Sequence, residues 1–88
     1  MARTLVEERL VACVNLLPEM TSIYRWAGDI EEEPERQILM KTTRARIPEL
    51  RTRLKELHPY DVPEFIVVPI VDGNEAYLNW VGESTTDA

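Results

Sequence analysis

A proline-braced loop between an amphipathic helix and an apolar strand is the feature that most constrains the folding of this 88-residue chain. Apolar residues at helical spacing predict a helix over about residues 46–57. This apolar stripe consists of Ile47, Leu50, Leu54 and Leu57. Pro59 and Pro63 fix their own φ angles and disfavour helix in the preceding residues, which predicts a stiffened loop at 58–64. The apolar, β-branched run after the loop predicts a buried strand over about residues 64–71.

The loop is also rich in donor atoms, because it holds the only histidine, a tyrosine and two carboxylates. His58 and Glu64 can offer an imidazole nitrogen and a carboxylate oxygen to Cu(II) or Zn(II). A pair of ligands six residues apart is not a metal signature by itself. In the alternative interpretation, His58 caps the C-terminus of the preceding helix and Glu64 accepts backbone hydrogen bonds. From the residues alone, both interpretations stay open.

The first half of the chain predicts a helix followed by a β-hairpin. Residues 2–11 have a short apolar side typical of a helix. Residues 11–26 predict a long strand at a sheet edge, bent or bulged at Pro18. The acidic segment 29–35 is predicted to form the solvated tip of the hairpin, and its five carboxylates match no EF-hand pattern.

The end of the chain predicts a turn at 72–74 and a short helical turn at 76–81 in which Tyr77 and Trp80 pack, followed by frayed residues. The predicted order is helix, strand, strand, helix, strand. This order indicates an α+β, ferredoxin-like (βαββαβ) sandwich with the first strand absent, which gives αββαβ plus a short C-terminal helix. One domain covers residues 1–88.

Composition narrows the class of protein. A net charge of −6 and a pI near 4.7 argue against a nucleic-acid binder. No apolar run approaches a membrane span, and the start is unlike a secretory signal, so a cytoplasmic protein is expected. Cys13 has no partner for an internal disulfide and is predicted to be a small buried hydrophobe. Because a chain this short buries a modest core, we expect a subunit of an oligomer.

Several blocks of the chain resemble one family. They are the segments 5–15, 21–26, 41–43, 58–60 with 63–64, and 77–80. As a set they resemble the CutA family of divalent-ion tolerance proteins, over roughly Leu5 to Ser84. The resemblance implies a homotrimer built by strand pairing between subunits, with an architecture similar to the PII signalling proteins. It also implies a cytoplasmic role in tolerance to divalent metals, particularly copper, with no established reaction.

The resemblance implies a role for the proline-braced loop, since Glu64 lies where a carboxylate has been associated with metal binding in the family. Trimer symmetry can bring further ligands to His58 and Glu64. Tyr24 and Trp26 share one strand face, and with Tyr60 they are candidates to line a cleft between subunits. Ordinary packing is the alternative for these three aromatic side chains.

Family members usually begin with another strand, central in the sheet, that has no counterpart in this sequence. Its loss would leave two rows of buried backbone groups without partners. Either the natural product starts upstream of Met1, or the remaining strands and neighbouring subunits close the gap.

Two functions stay open at this point. The first is a CutA-like trimer that binds divalent metal weakly and contributes to metal tolerance. The second is a PII-like signalling or scaffold trimer whose clefts bind a small effector or a protein partner. No enzyme is predicted, because the chain has only three glycines and no glycine-rich loop to hold a phosphate.

Overall fold

Short helices and antiparallel strands alternate along the chain in the computed structural model, which describes residues 1–58 and 64–86. In chain order they are α1 (Ala2–Glu7), β1 (Cys13–Leu16), β2 (Met20–Trp26), β3 (Asp29–Glu35), β4 (Ile38–Lys41), a 3₁₀ turn (Arg44–Arg46), α2 (Ile47–Leu57) and α3 (Glu75–Ser84). The mixture of helices and antiparallel strands confirms the predicted α+β class. None of the helices in these two stretches is long and apolar enough to span a membrane.

Helix α1 ends in a hydrogen-bonded turn that leads the chain into the core. Arg9 has a left-handed φ of 60°. Its amide donates to the Val6 carbonyl at 3.0 Å, and the Leu10 amide donates to the Leu5 carbonyl at 3.1 Å. These are the two bonds of a Schellman motif, and the buried Leu5 and Leu10 supply its usual apolar contact. The helix therefore ends earlier than the predicted residue 11, because Leu10 and Val11 turn inward.

Among the described residues, the central cluster of the core consists of four buried side chains, namely Leu5, Leu10, Val11 and Leu50. Partly buried apolar side chains pack around them: Met1, Val14, Met40, Leu54, Leu57 and Phe65. Helix α2 contributes Leu50, Leu54 and Leu57 from the stripe seen in the sequence. The predicted helix at 46–57 is thus confirmed, with its start one residue later.

The strands of the described residues form two separate antiparallel ladders. Strand β1 pairs with β4 from Cys13↔Lys41 to Leu16↔Ile38. Strand β2 pairs with β3 over seven residues each. The prediction of one long strand over residues 11–26 was wrong, since β1 and β2 are separate strands in different ladders. The break between them contains Pro18, so the predicted irregularity at this proline is confirmed.

The turn of the β2–β3 hairpin is the two-residue loop Ala27-Gly28, with φ angles of 51° and 87°. Two positive φ angles are what a type I′ turn requires. The prediction that segment 29–35 forms the hairpin tip was wrong, since these residues form strand β3. Acidic residues and Pro34 have low strand propensity, but pairing with β2 overrides it.

The predicted buried strand at 64–71 is not present in the protomer. Residues 64–71 have no regular secondary structure. Phe65 alone in this run is half-buried, and the guanidinium of Arg51 lies 5.2 Å from its ring centroid. The prediction was wrong for the isolated chain because a strand needs a ladder partner, and no described strand pairs with these residues.

Helix α3 is longer than the predicted turn at 76–81. The Tyr77 and Trp80 rings lie 5.6 Å apart but remain substantially exposed, while Val81 is buried. The Thr85 hydroxyl donates to the Val81 carbonyl at 2.9 Å and is buried, so the predicted fraying does not begin at residue 82. Arg9 donates to the Glu83 carbonyl at 3.4 Å and so connects the end of α3 to α1.

Candidate metal and effector sites

His58 lies at the C-terminal end of α2, as its position after the apolar stripe predicts. Its backbone amide donates to the Leu54 carbonyl at 2.7 Å, and the residue is half-buried with φ −137° and ψ 80°. An imidazole at this end of a helix lies close to the negative end of the helix dipole. The helix therefore fixes the backbone of His58.

Glu64 is exposed and begins the second described stretch of the chain. Tyr60 and the other residues at 59–63 lie outside the described residues. The pairing of His58 with Glu64 in a metal site therefore stays a prediction. Within residues 1–58 and 64–86, no group of three or more His, Cys, Asp or Glu side chains is arranged to hold a metal ion.

The β2–β3 hairpin carries a surface that sequence reasoning missed. The register places Tyr24 opposite Glu31 and Trp26 opposite Asp29, so these four side chains share one face. Glu33 and Glu35 continue the same row, opposite Ser22 and Met20. We call this surface the acidic-aromatic face. Neighbouring carboxylate-bearing residues on it are spaced about 7 Å apart along β3.

Burial and neighbouring carboxylates both act on the tyrosine of the acidic-aromatic face. Partial burial, together with the carboxylates of Glu33, Glu31 and Glu35, raises the pKa of the Tyr24 hydroxyl above its ordinary value. Each of these carboxylates disfavours a phenolate nearby. The face is therefore a region of negative potential in which a cation is stabilised.

The signal for this face was present in the sequence as alternation of acidic residues at 29, 31, 33 and 35. Glu32, which is also acidic and lies between Glu31 and Glu33, interrupts this alternation in the sequence. Tyr24 and Trp26 do share a strand face, and they are 39% and 52% exposed. The predicted cleft between subunits needs a neighbouring protomer and stays a prediction for Tyr24, Trp26 and Tyr60.

Cys13 is half-buried rather than buried. Its sulfur lies 3.8 Å from the Asn15 side-chain oxygen, and Lys41 occupies the opposite position on β4. The prediction of burial was wrong because, among the described strands, β1 has β4 as its single ladder partner.

Comparison with known proteins decides the family. The sequence profile described as "CutA1 divalent ion tolerance protein" matches residues 1–84. The chain belongs to the CutA1 divalent ion tolerance family. This CutA1 chain is 54% identical over 84 residues to the divalent-cation tolerance protein CutA of Thermus thermophilus, a match that covers 96% of the chain and 82% of that protein. It is 48% identical to the mouse protein CutA, of which the 84 matched residues span about half the length.

Solved structures agree with the CutA1 assignment. The structure of the divalent cation tolerance protein from Thermus thermophilus superimposes with a TM-score of 0.92 at 53% identity, covering 97% of the chain and 82% of that protein. A Nostoc protein described as "PII-like protein CutA" superimposes with a TM-score of 0.88 at 41% identity, covering 97% and 83%. The predicted family and the ferredoxin-like fold class are both confirmed.

Proposed function

We propose that this protein binds divalent cations weakly, Cu(II) in particular, and contributes to tolerance of divalent metals without catalysing a reaction. The observation that carries this proposal is family membership, together with 54% identity to a relative named for divalent-cation tolerance. Imidazole and carboxylate are ligands that Cu(II) accepts. His58 and Glu64 are the ligands that we propose.

The charge of the chain supports a cationic ligand. The net charge is −6, and the acidic-aromatic face concentrates part of that charge on one side of the hairpin. Negative potential raises the local concentration of cations and steers their approach. In this proposal the acidic-aromatic face attracts the metal electrostatically, while His58 and Glu64 provide the ligands.

We propose that the protein is a homotrimer and that it is cytoplasmic. The β2–β3 hairpin packs almost entirely on itself among the described elements, and an isolated two-stranded hairpin is at best marginally stable in water. Ile23 and Ile30 are 67% and 61% exposed on the face opposite Tyr24. Packing between subunits would shelter both residues, which supports an assembly built around this hairpin.

Calorimetric titration of Cu(II) tests the proposed ligands. The His58→Ala/Glu64→Ala variant is expected to lose at least about tenfold in affinity, since each substitution removes a ligand. A Glu32→Ala variant is a control, because Glu32 is not a proposed ligand and lies on the face of β3 opposite the acidic-aromatic face. Equal affinities for the wild type and the double variant would contradict the proposed ligands.

The contribution of the acidic-aromatic face is tested separately with Glu31→Gln/Glu33→Gln. This variant keeps His58 and Glu64 but removes two carboxylates from the face. We expect a slower association with Cu(II) at low salt and a smaller dependence on ionic strength. An unchanged salt dependence would contradict the steering role.

A PII-like role is a second candidate, favoured by the structural similarity to the Nostoc protein that is described as PII-like. In this role, Tyr24, Trp26 and Tyr60 line clefts between subunits that bind a small effector or a protein partner. A crystal structure of the assembled protein distinguishes the two candidates. Clefts already filled by these three side chains would exclude the second candidate.

A further inference from the structure

Asp72 and Gly73 form the one Asp-Gly pair of the sequence, and the proposed function uses neither residue. The other aspartates precede isoleucine, valine or alanine, and none of the asparagines precedes glycine. An aspartyl side chain cyclises most readily onto the amide of a following glycine, because glycine has no side chain to shield its nitrogen from close approach. The sequence therefore contains one favourable position for this reaction.

The structure places the two reacting groups of this pair side by side. The Gly73 amide donates a hydrogen bond of 2.8 Å to the Asp72 Oδ1 atom. Because Oδ1 is bonded to Cγ, this contact also holds the electrophilic carbon beside the nucleophilic nitrogen. An intramolecular reaction is accelerated strongly when its reacting atoms are held about 3–3.5 Å apart.

The backbone around the pair is exposed and lies outside regular secondary structure. Residues 64–74 form neither helix nor strand, and Asp72 and Gly73 are both exposed. A surface loop can rotate its φ and ψ angles toward the geometry of a ring, whereas a residue held in a helix or ladder cannot. Asp29 provides the contrast, because it lies in strand β3 opposite Trp26 and precedes the β-branched Ile30.

We propose that Asp72 is a site of spontaneous isoaspartate formation. The Gly73 nitrogen attacks Cγ of the protonated Asp72 carboxyl group, which loses one oxygen as water, and a succinimide ring forms. Water then reopens the ring. Cleavage between the nitrogen and Cγ returns aspartate, whereas cleavage between the nitrogen and the main-chain carbonyl carbon leaves Gly73 joined through the side chain of Asp72. The two steps release one water and consume one, so no oxidant, reductant or cofactor takes part.

Isoaspartate at this position alters the start of helix α3. The new linkage lengthens the main chain by one carbon–carbon bond, about 1.5 Å. Gly73 has little room to absorb this change, since a Cβ atom built on it would lie 3.3 Å from the Leu78 Cδ2 atom. The Leu78 amide donates to the Asn74 carbonyl at 3.0 Å in the first turn of α3. We therefore expect the modification to weaken this turn.

Long incubation of the full 88-residue protein in water enriched in the heavy isotope of oxygen tests the site. The protein is held at neutral pH below its unfolding temperature, and its peptides are then sequenced by electron-transfer mass spectrometry against a sample taken at the start. Each passage through the succinimide inserts one heavy oxygen atom, and the fragment ions distinguish isoaspartate from aspartate. We expect both signals to accumulate at least about tenfold faster at Asp72 than at Asp29, which lacks the neighbouring glycine.

Two variants separate ring closure from other chemistry. Asp72→Glu keeps the charge but moves the carboxyl group one carbon further from the main chain, so we expect isomerisation at this position to slow at least about tenfold. Asp72→Asn keeps the length of the side chain and supplies an amide that loses ammonia on ring closure, so it should convert faster than the wild type does. Asn79 is the internal control for this variant, because it lies within α3 and precedes Trp80.

Amide hydrogen exchange measures the effect on α3. The isoaspartyl form is separated from the unmodified protein by ion-exchange chromatography, and the two forms are compared. We expect the Leu78 amide to exchange at least about fivefold faster in the isoaspartyl form, because its hydrogen bond to Asn74 opens more often.

Three results would overturn the proposal. Equal labelling of Asp72 and Asp29 would show that the contact with the Gly73 amide does not promote the reaction. An amide at position 72 of the Asp72→Asn variant that lasts as long as Asn79 would show that the loop prevents ring closure. Equal exchange of the Leu78 amide in the two forms would contradict the effect of the modification on α3.

Discussion

Truncation of Leu5 is expected to test the core of this protein most directly. Leu5 is fully buried and, among the described residues, belongs to a core cluster of four buried side chains. It also supplies the carbonyl that accepts the Leu10 amide in the Schellman motif. Because the core is so small, a cavity at this position removes a large share of the apolar burial of the domain.

The magnitude follows from the burial. Leu→Ala at a fully buried position costs about 2–5 kcal/mol through lost transfer free energy and the remaining cavity. For Leu5→Ala we expect about 3 kcal/mol, against a total stability of about 5–15 kcal/mol for a typical domain. With a urea m-value of about 1–2 kcal/mol/M for a small domain, the unfolding midpoint should fall by about 1.5–3 M.

Urea unfolding followed by circular dichroism measures this loss. Val6→Ala is the matched control, because Val6 is the next residue on α1 and is 41% exposed. The control should cost less than about 1 kcal/mol. Equal losses for Leu5→Ala and Val6→Ala would refute the assignment of the core, since burial would then not determine the cost.

Three further changes have expected outcomes. Ala27→Asn should raise the stability of the β2–β3 hairpin by about 0.5–1 kcal/mol, because asparagine tolerates the positive φ of 51° at this position better than alanine. Slower amide hydrogen exchange in β2 and β3 would measure this gain, and unchanged exchange would argue against a type I′ turn. Arg53→Met should lower the stability more at low salt than at high salt, since Arg53 donates two 2.9 Å hydrogen bonds to the partly exposed Glu8 carboxylate. A double-mutant cycle with Glu8→Gln at low and high salt measures the coupling between the two side chains, and an additive result would contradict it. Glu33→Gln should lower the raised pKa of Tyr24, as measured by phenolate absorbance against pH. Because the folded state favours the neutral phenol of Tyr24, the stability that this preference contributes is present below about pH 10. It is lost as the pH rises through the pKa of Tyr24 in the folded state. An unchanged titration of Tyr24 in the variant would rule out the effect of Glu33.

Local patterns predicted the helices better than the strands. The stripe on α2 depends on contacts within one helix and on a single core, so its period identified residues 47–57 to within one residue. Strand β3 was missed because its conformation depends on the Ala27-Gly28 turn and on its partner β2, not on its own acidic composition. Pairing between distant segments is not determined by the propensity of either segment.

The candidate sites also differ in how far local sequence predicted them. The position of His58 at the end of α2 was predictable, because the helix stripe ends just before it. The acidic-aromatic face was not, because it depends on the register that sets Tyr24 opposite Glu31. The apolar run at 66–71 was recognised as strand-forming, yet its conformation depends on a partner that the described protomer does not provide.

The interruption at Pro18 separates two ladders, of which one contacts the core cluster and the other does not. The short ladder of β1 and β4 contacts the core through Val14 and Met40, while the longer ladder of β2 and β3 packs on itself. Opening the longer ladder therefore exposes no side chain of the core cluster. Unfolding of a separate protomer should therefore proceed in two separable stages, and a single melting temperature would describe only the part that encloses Leu5.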